Sequence, residues 1–220
     1  MERLILVSNR LPVTVNKNSS GEFDYEQSSG GLATGLSSVY QNYEGFWLGW
    51  PGIADNKLSD SEKLKMKNEL KENNNYPIFF SQEELNNYYY GFCNRTIWPL
   101  FHYFTQYSRY PEKYWQAYKQ VNRRFFKELK DKLEPGDNLW IHDYHLMLLP
   151  EMVRREFSEV KIGFFLHIPF PSSEIFRLLP WKQEILEGLL GADLIGFHTY
   201  SYVRHFLSSV VRILGYNKNF

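Results

Sequence analysis

Cysteine is almost missing from these 220 residues, with Cys93 standing alone. A lone thiol excludes an internal disulfide framework and fits a reducing compartment. No run approaches the roughly 20 apolar residues of a membrane span. The opening MERLILVSNR is too short in apolar residues for a secretory leader, so the sequons at Asn18 and Asn94 read as coincidental and the chain as cytoplasmic. An excess charge is lacking too: 25 basic side chains balance 25 acidic ones. That balance excludes a basic nucleic-acid surface and a polybasic membrane patch. A small anionic substrate, which needs only a local arginine, survives the exclusion. There is also no G-x-S-x-G elbow, no P-loop, no dinucleotide G-x-G-x-x-G and no evident Cys/His pair. With no protein nucleophile in sight, transfer between bound substrates fits better than hydrolysis.

Apolar runs alternating with helical patterns are what the sequence has. RLILVSNR, GFWLGWPG, YPIFFS, NLWIH, VKIGFFLH and ADLIGFH read as strands. LPVTVNKNSSGEFDYEQSSGG reads as a long loop or hairpin, and GGLATGLSSVYQNY as a helix beginning at a glycine pair. The polar segment DNKLSDSEKLKMKNELKENNN reads as a solvated surface helix. SQEELNNYYYGFCNRTIWPLFHYF opens with a capping signature, Ser81 followed by Glu84. PEKYWQAYKQVNRRFFKELKDKL has a proline near its start and Pro135-Gly136 after its end, as a long helix should. LMLLPEMVRREF, SSEIFRLLPWKQEILEGLLG and YSYVRHFLSSVVRIL supply further helices. The fold class expected is α/β, a Rossmann-like parallel sheet with helices on both faces and no internal boundary.

In such a sheet, ligands bind at the carboxyl ends of the strands. Those ends read Ser8-Asn9-Arg10, His142-Asp143, His167 before Pro169-Phe170-Pro171, and His198. Each has a plain reading beside the functional one. A histidine at a strand end is usually a surface or capping residue, and that is the reading for His198. A metal at His142-Asp143-His145 would need neighbouring side chains to converge, which a strand-to-turn path opposes. Gly30-Gly31 before a helix can offer backbone N–H groups to phosphate, although such a pair is more often only a turn. Arg10 can grip a phosphate with its fork of donors or make a surface ion pair. The 18% of aromatic residues suits a sugar site, a large core or an interface equally.

Taken in order, LILVSNRLPV, SSGGLATGL, WLGWPG, YYYGFCNRTIWPLFHY, LWIHDYHLMLLPEMVR and IGFFLHIPFPSSEIFRLLP resemble the N-terminal half of the trehalose-6-phosphate synthase family. The likeness covers essentially the whole chain. It implies a retaining glycosyltransferase of GT-B type, moving glucose from UDP-glucose to glucose 6-phosphate to give α,α-trehalose 6-phosphate and UDP. By that resemblance Arg10 and Tyr89 grip the acceptor's phosphate. Trp98 walls the sugar pocket, and Asp143 orients the attacking hydroxyl. His167 lies against the donor glucose, and Gly30 and Gly31 approach the donor's diphosphate. Asp143 and His167 are then the catalytic pair, with neither a cofactor nor a metal implied. His142 and His145 match the pattern and receive no role.

The likeness also implies one acceptor-side domain over residues 1–220, with the nucleotide-sugar domain outside this chain and little activity expected from it alone. Expected partners are the two substrates, that second domain, and a homo-oligomer or trehalose-synthesis complex. A regulatory or scaffolding role in such a complex is the alternative, against which the retained site residues speak.

Overall fold

The β-branched and leucine-rich run at the start of the chain forms β1 (Arg3–Arg10), whose Ile5, Leu6 and Val7 are fully buried. A strand hidden on both faces belongs at the middle of a parallel sheet. In the computed structural model, which describes residues 3–18, 21–28, 31, 35–36 and 43–216, β1 lies there. It pairs with β4 (Glu44–Trp50) on one side and β6 (Asn138–His142) on the other. β5 (Asn75–Pro77), β7 (Lys161–Leu166) and β8 (Leu194–Phe197) complete the order β5-β4-β1-β6-β7-β8, every neighbouring pair parallel. A hairpin of β2 (Val13–Lys17) and β3 (Phe23–Gln27) stands apart as a two-stranded sheet. The chain runs outward from β1 to β5, then returns to β6 and runs outward the other way. β1 and β6 therefore flank the switch point, where the connections leave in opposite directions.

The helices bury one stripe each. α1 (Asp60–Lys71) starts at Ser59 with a complete capping box, Ser59 and Glu62 each satisfying the other's backbone N–H. It is not wholly solvated as its composition suggests, because Met66 and Leu70 are buried beneath it in a second core with Leu6, Leu11, Val15 and Trp47. A helix over 82–101, α2, begins at the expected Ser81–Glu84 box. It then winds wide through Leu85–Ile97, where the N–H of Trp98 bonds five residues back to Cys93. α3 (Glu112–Lys130) sets Trp115, Tyr118, Val121, Asn122, Phe125 and Leu129 on one buried face. Each fully buried large apolar side chain there contributes about 1.5–3 kcal/mol. α4 (Leu149–Glu156), α5 (Ser173–Phe176), α6 (Lys182–Leu189) and α7 (Tyr200–Ser209) follow the later strands.

Of the segment GGLATGLSSVYQNY, only Gly31, Gly35 and Leu36 are described, and all three are helical. YPIFFS gives a shorter strand than its apolar run suggests, because pairing to β4 stops at Gly49↔Pro77. Among the described residues, no helix is long and apolar enough to cross a membrane.

Candidate active site

Pairing between β1 and β6 ends at Val7↔Ile141, so Ser8, Asn9 and Arg10 run on without a partner on that side. The opening is a pocket of about 200 Å3 lined by Ser8, Asn9, Arg10, Tyr89, Asp143 and His145, among others. Arg10 enters it half-buried, with no carboxylate partner among the described residues. Its guanidinium lies 4.6 Å from the centre of the Trp50 ring, and Nη2 donates to Thr14 Oγ1 at 3.1 Å. Thr14 in turn meets Ser28 Oγ at 3.0 Å, so β2 and the residue just after β3 both supply hydroxyls here. Gly52 closes the other edge. Its φ of +98° is glycine's territory, and a Cβ there would sit 2.7 Å from Arg10 Nη2. Burial lowers the Arg10 pKa from its usual value, with Tyr89 and Tyr90 opposing in part.

Asp143 follows β6 with φ 74° and ψ 166°, a region nearly reserved for glycine that costs of order 1–3 kcal/mol elsewhere. The turn is held from behind. Tyr118 OH donates to the Tyr144 carbonyl and accepts from Met147 N–H, both at 2.9 Å. Asn122 reaches the His145 carbonyl at 3.2 Å, and Tyr88 OH donates to Asn9 Oδ1 at 2.8 Å. In front, Asp143 Oδ1 accepts from Tyr144 N at 2.9 Å and His167 N at 3.2 Å. His145 Nδ1 lies 3.9 Å from Oδ2. Burial raises the carboxyl to about 6, the two N–H bonds opposing it.

The imidazoles go the other way. Burial holds His142 and His145 down to about 3 and His167 to about 4, with His167 further depressing His142 and His198 further depressing His167. All three are neutral at pH 7. Among the described residues, no group of three or more His, Cys, Asp or Glu is placed to hold a metal ion. Cys93 is buried and its thiol pushed up, so it is not a nucleophile.

Of the residues singled out by sequence, Arg10, Tyr89 and Asp143 line one pocket, and His167 adjoins it through Asp143. Tyr89 stacks on His145 with ring centres 5.9 Å apart. Trp98 stands at the rim, nearly half exposed, 6.1 Å from the ring of Tyr144. His198 is exposed, with its ring 5.8 Å from that of His167. Gly31 is exposed, and a Cβ there would meet nothing within 4 Å. Gly30 lies outside the described residues. Sequence reasoning missed Trp50 and Gly52 as the seat of Arg10, and Tyr118 and Asn122 as supports of the Asp143 turn. Only the register Arg10↔Trp50, invisible in a linear sequence, brings the first pair into view.

Comparison with known proteins adds the context. Residues 2–219 match the model of glycosyltransferase family 20. The α,α-trehalose-phosphate synthase (UDP-forming) of Emericella nidulans is 50% identical over 97% of this chain and 43% of its own length. The chain thus spans less than half the length of such relatives. A Burkholderia xenovorans α,α-trehalose-phosphate synthase solved with glucose 6-phosphate matches at TM-score 0.76 and 30% identity, over 96% of this chain and 43% of that one. The N-terminal domain of a Candida albicans trehalose-6-phosphate phosphatase matches at TM-score 0.78 and 31% identity, over 100% of this chain and 45% of that one.

Proposed function

This chain belongs to glycosyltransferase family 20, and from that premise we propose that it carries the acceptor half of an α,α-trehalose 6-phosphate synthase. The reaction is transfer of glucose from UDP-glucose to glucose 6-phosphate. One observation carries the reading: at the switch point, a cation without a counter-ion among the described residues and a carboxylate on a strained turn share one pocket. Arg10, backed by Trp50 and joined by the phenol of Tyr89, takes the phosphate. Asp143 accepts hydrogen bonds from acceptor hydroxyls and orients the one that attacks. Trp98 forms the outer wall. His167 faces the donor glucose, and Gly30 and Gly31 its diphosphate.

No protein nucleophile is required when the attacking hydroxyl approaches the face the leaving group departs from. The departing phosphate then takes the hydroxyl's proton, and the protein contributes position and charge stabilisation. The residues that hold the nucleotide belong to a second domain outside these 220 residues, which themselves form one acceptor-side unit. Without that domain the chain is nearly inactive. The reading places the protein in the cytoplasm, assembled with the second domain and, in a larger complex, with further synthesis subunits.

A non-catalytic, scaffolding role is the second reading, favoured by the match to the N-terminal domain of a phosphatase. Calorimetric titration of glucose 6-phosphate into the chain, with glucose and Arg10→Ala as controls, separates the two. Saturable binding that needs both the phosphate and Arg10 supports the acceptor site. A folded chain that binds nothing turns the assignment toward assembly.

A further inference from the structure

Two imidazoles meet edge to edge behind the rim. His142 Nδ1 lies 3.1 Å from His167 Nε2. His142 is 1% exposed and packs on the Trp140 ring at 4.8 Å, while its second nitrogen, Nε2, is buried with no hydrogen-bond partner among the described residues. The second nitrogen of His167, Nδ1, likewise makes no hydrogen bond among the described residues, but it is not sealed from solvent. Ring packing holds the His167 imidazole, with no hydrogen bond to either neighbour among the described residues: Phe165 lies at 4.7 Å and His198 at 5.8 Å.

With both rings neutral, one proton bridges the pair, and its owner is decided by what each choice leaves behind. Were His142 protonated on Nε2, an N–H donor would be buried with no acceptor, a situation native proteins largely avoid. Protonation on Nδ1 leaves only an unused lone pair in the core, while the N–H is spent on His167 Nε2. That nitrogen must then be the bare one, and His167 carries its proton on Nδ1. A neighbouring hydrogen bond that sets which ring nitrogen is protonated is how proteins aim an imidazole.

We infer that His142 is a positioning residue for His167: by donating from Nδ1 it locks His167 as the Nδ1–H tautomer and turns that N–H toward the rim of the pocket. What waits there is an oxygen acceptor, on the sugar or phosphate of the donor substrate. This second half rests on the assignment of His167 to the donor side. The tautomer does not depend on it.

The test is a long-range ¹H–¹⁵N correlation spectrum of the protein labelled at histidine, with the His167 signals assigned by their loss in His167→Gln. The expected pattern is a protonated Nδ1 and a bare Nε2 on His167. His142→Phe keeps the ring and removes the donor, and should shift protonation of His167 toward Nε2. His142→Asn places an amide N–H where Nδ1–H stood, and should restore the native pattern. A native His167 protonated on Nε2 overturns the proposal, and so does a His142→Phe spectrum unchanged from the native one. Should His142→Phe fail to fold, the native spectrum still decides. No substrate enters the measurement, so a failed glucose 6-phosphate titration leaves its outcome intact, and the tautomer can prove wrong while the acceptor site stands.

Discussion

Asp143 Oδ1 accepts the backbone N–H of His167 across 3.2 Å, tying the end of β6 to the end of β7. The same oxygen holds the N–H of Tyr144, so one carboxylate fixes both sides of the cleft edge. The residue assigned to orient the acceptor thus also sets the position of the residue assigned to the donor.

The backbone of Asp143 gives a test that needs no substrate. Glycine adopts φ 74°, ψ 166° freely, whereas alanine retains the strain. Asp143→Gly should therefore be more stable than Asp143→Ala by ~1–3 kcal/mol, read from urea unfolding. Both should lose glucose 6-phosphate binding. Equal stability of the two variants would mean the turn is not strained.

Gly52→Ala attacks the seat of Arg10 from two directions. The positive φ strains any other residue, and the new Cβ displaces the guanidinium. A stability loss of ~1–3 kcal/mol is expected, together with acceptor binding weakened ~10-fold or more as a charged hydrogen bond is lost. Unchanged melting temperature and affinity would show that Gly52 does not support Arg10.

Tyr118→Phe removes one hydroxyl and leaves two buried backbone groups, the Tyr144 carbonyl and the Met147 N–H, without their partner. Each unsatisfied group costs about 1–3 kcal/mol. Urea unfolding should show at least about 2 kcal/mol lost. A neutral substitution would show that the turn has another support.

Stability should fall as the solution is made acidic. The His142, His145 and His167 pKa values are depressed on folding, so the unfolded chain takes up their protons below about 6.5, and the stability they lend above it is lost. Asp143 works in reverse. Its folded value is raised to about 6, so its contribution is present at low pH and lost as pH climbs from ~4 through 6. Between pH 4 and 6 three imidazoles oppose one carboxyl, and unfolding takes up close to two net protons, worth up to ~2.8 kcal/mol per pH unit. Urea titrations at pH 7, 6 and 5 check this, and a flat or rising stability on acidification would contradict it.

Much of this was open to a reader of the sequence. NLWIH is β6 residue for residue, and RLILVSNR is β1, because a strand buried on both faces is spelled by an unbroken apolar run. The ends of those runs pointed to Arg10, Asp143 and His167. What stayed hidden depends on the third dimension. The wide winding of Leu85–Ile97 leaves no periodicity to read, and the support of Asp143 by Tyr118 joins residues 25 apart in sequence through a helix face that also looks like ordinary core. Met66 and Leu70 were masked by the charged residues around them.

The β2–β3 hairpin is a cantilever. Its root carries Thr14 and Ser28 against Arg10, while farther out it is clamped to α1 by the Lys17–Glu62 ion pair at 2.6 Å and the Tyr25–Glu69 hydrogen bond. Beyond the clamp the chain turns over at Gly21, where φ is +86° and the surface is exposed. Mechanical load at the tip is therefore taken up by α1 before it reaches the arginine. That makes the tip a natural attachment point for a tag or reporter, and makes the charged face of α1 the anchorage on which the geometry around Arg10 depends.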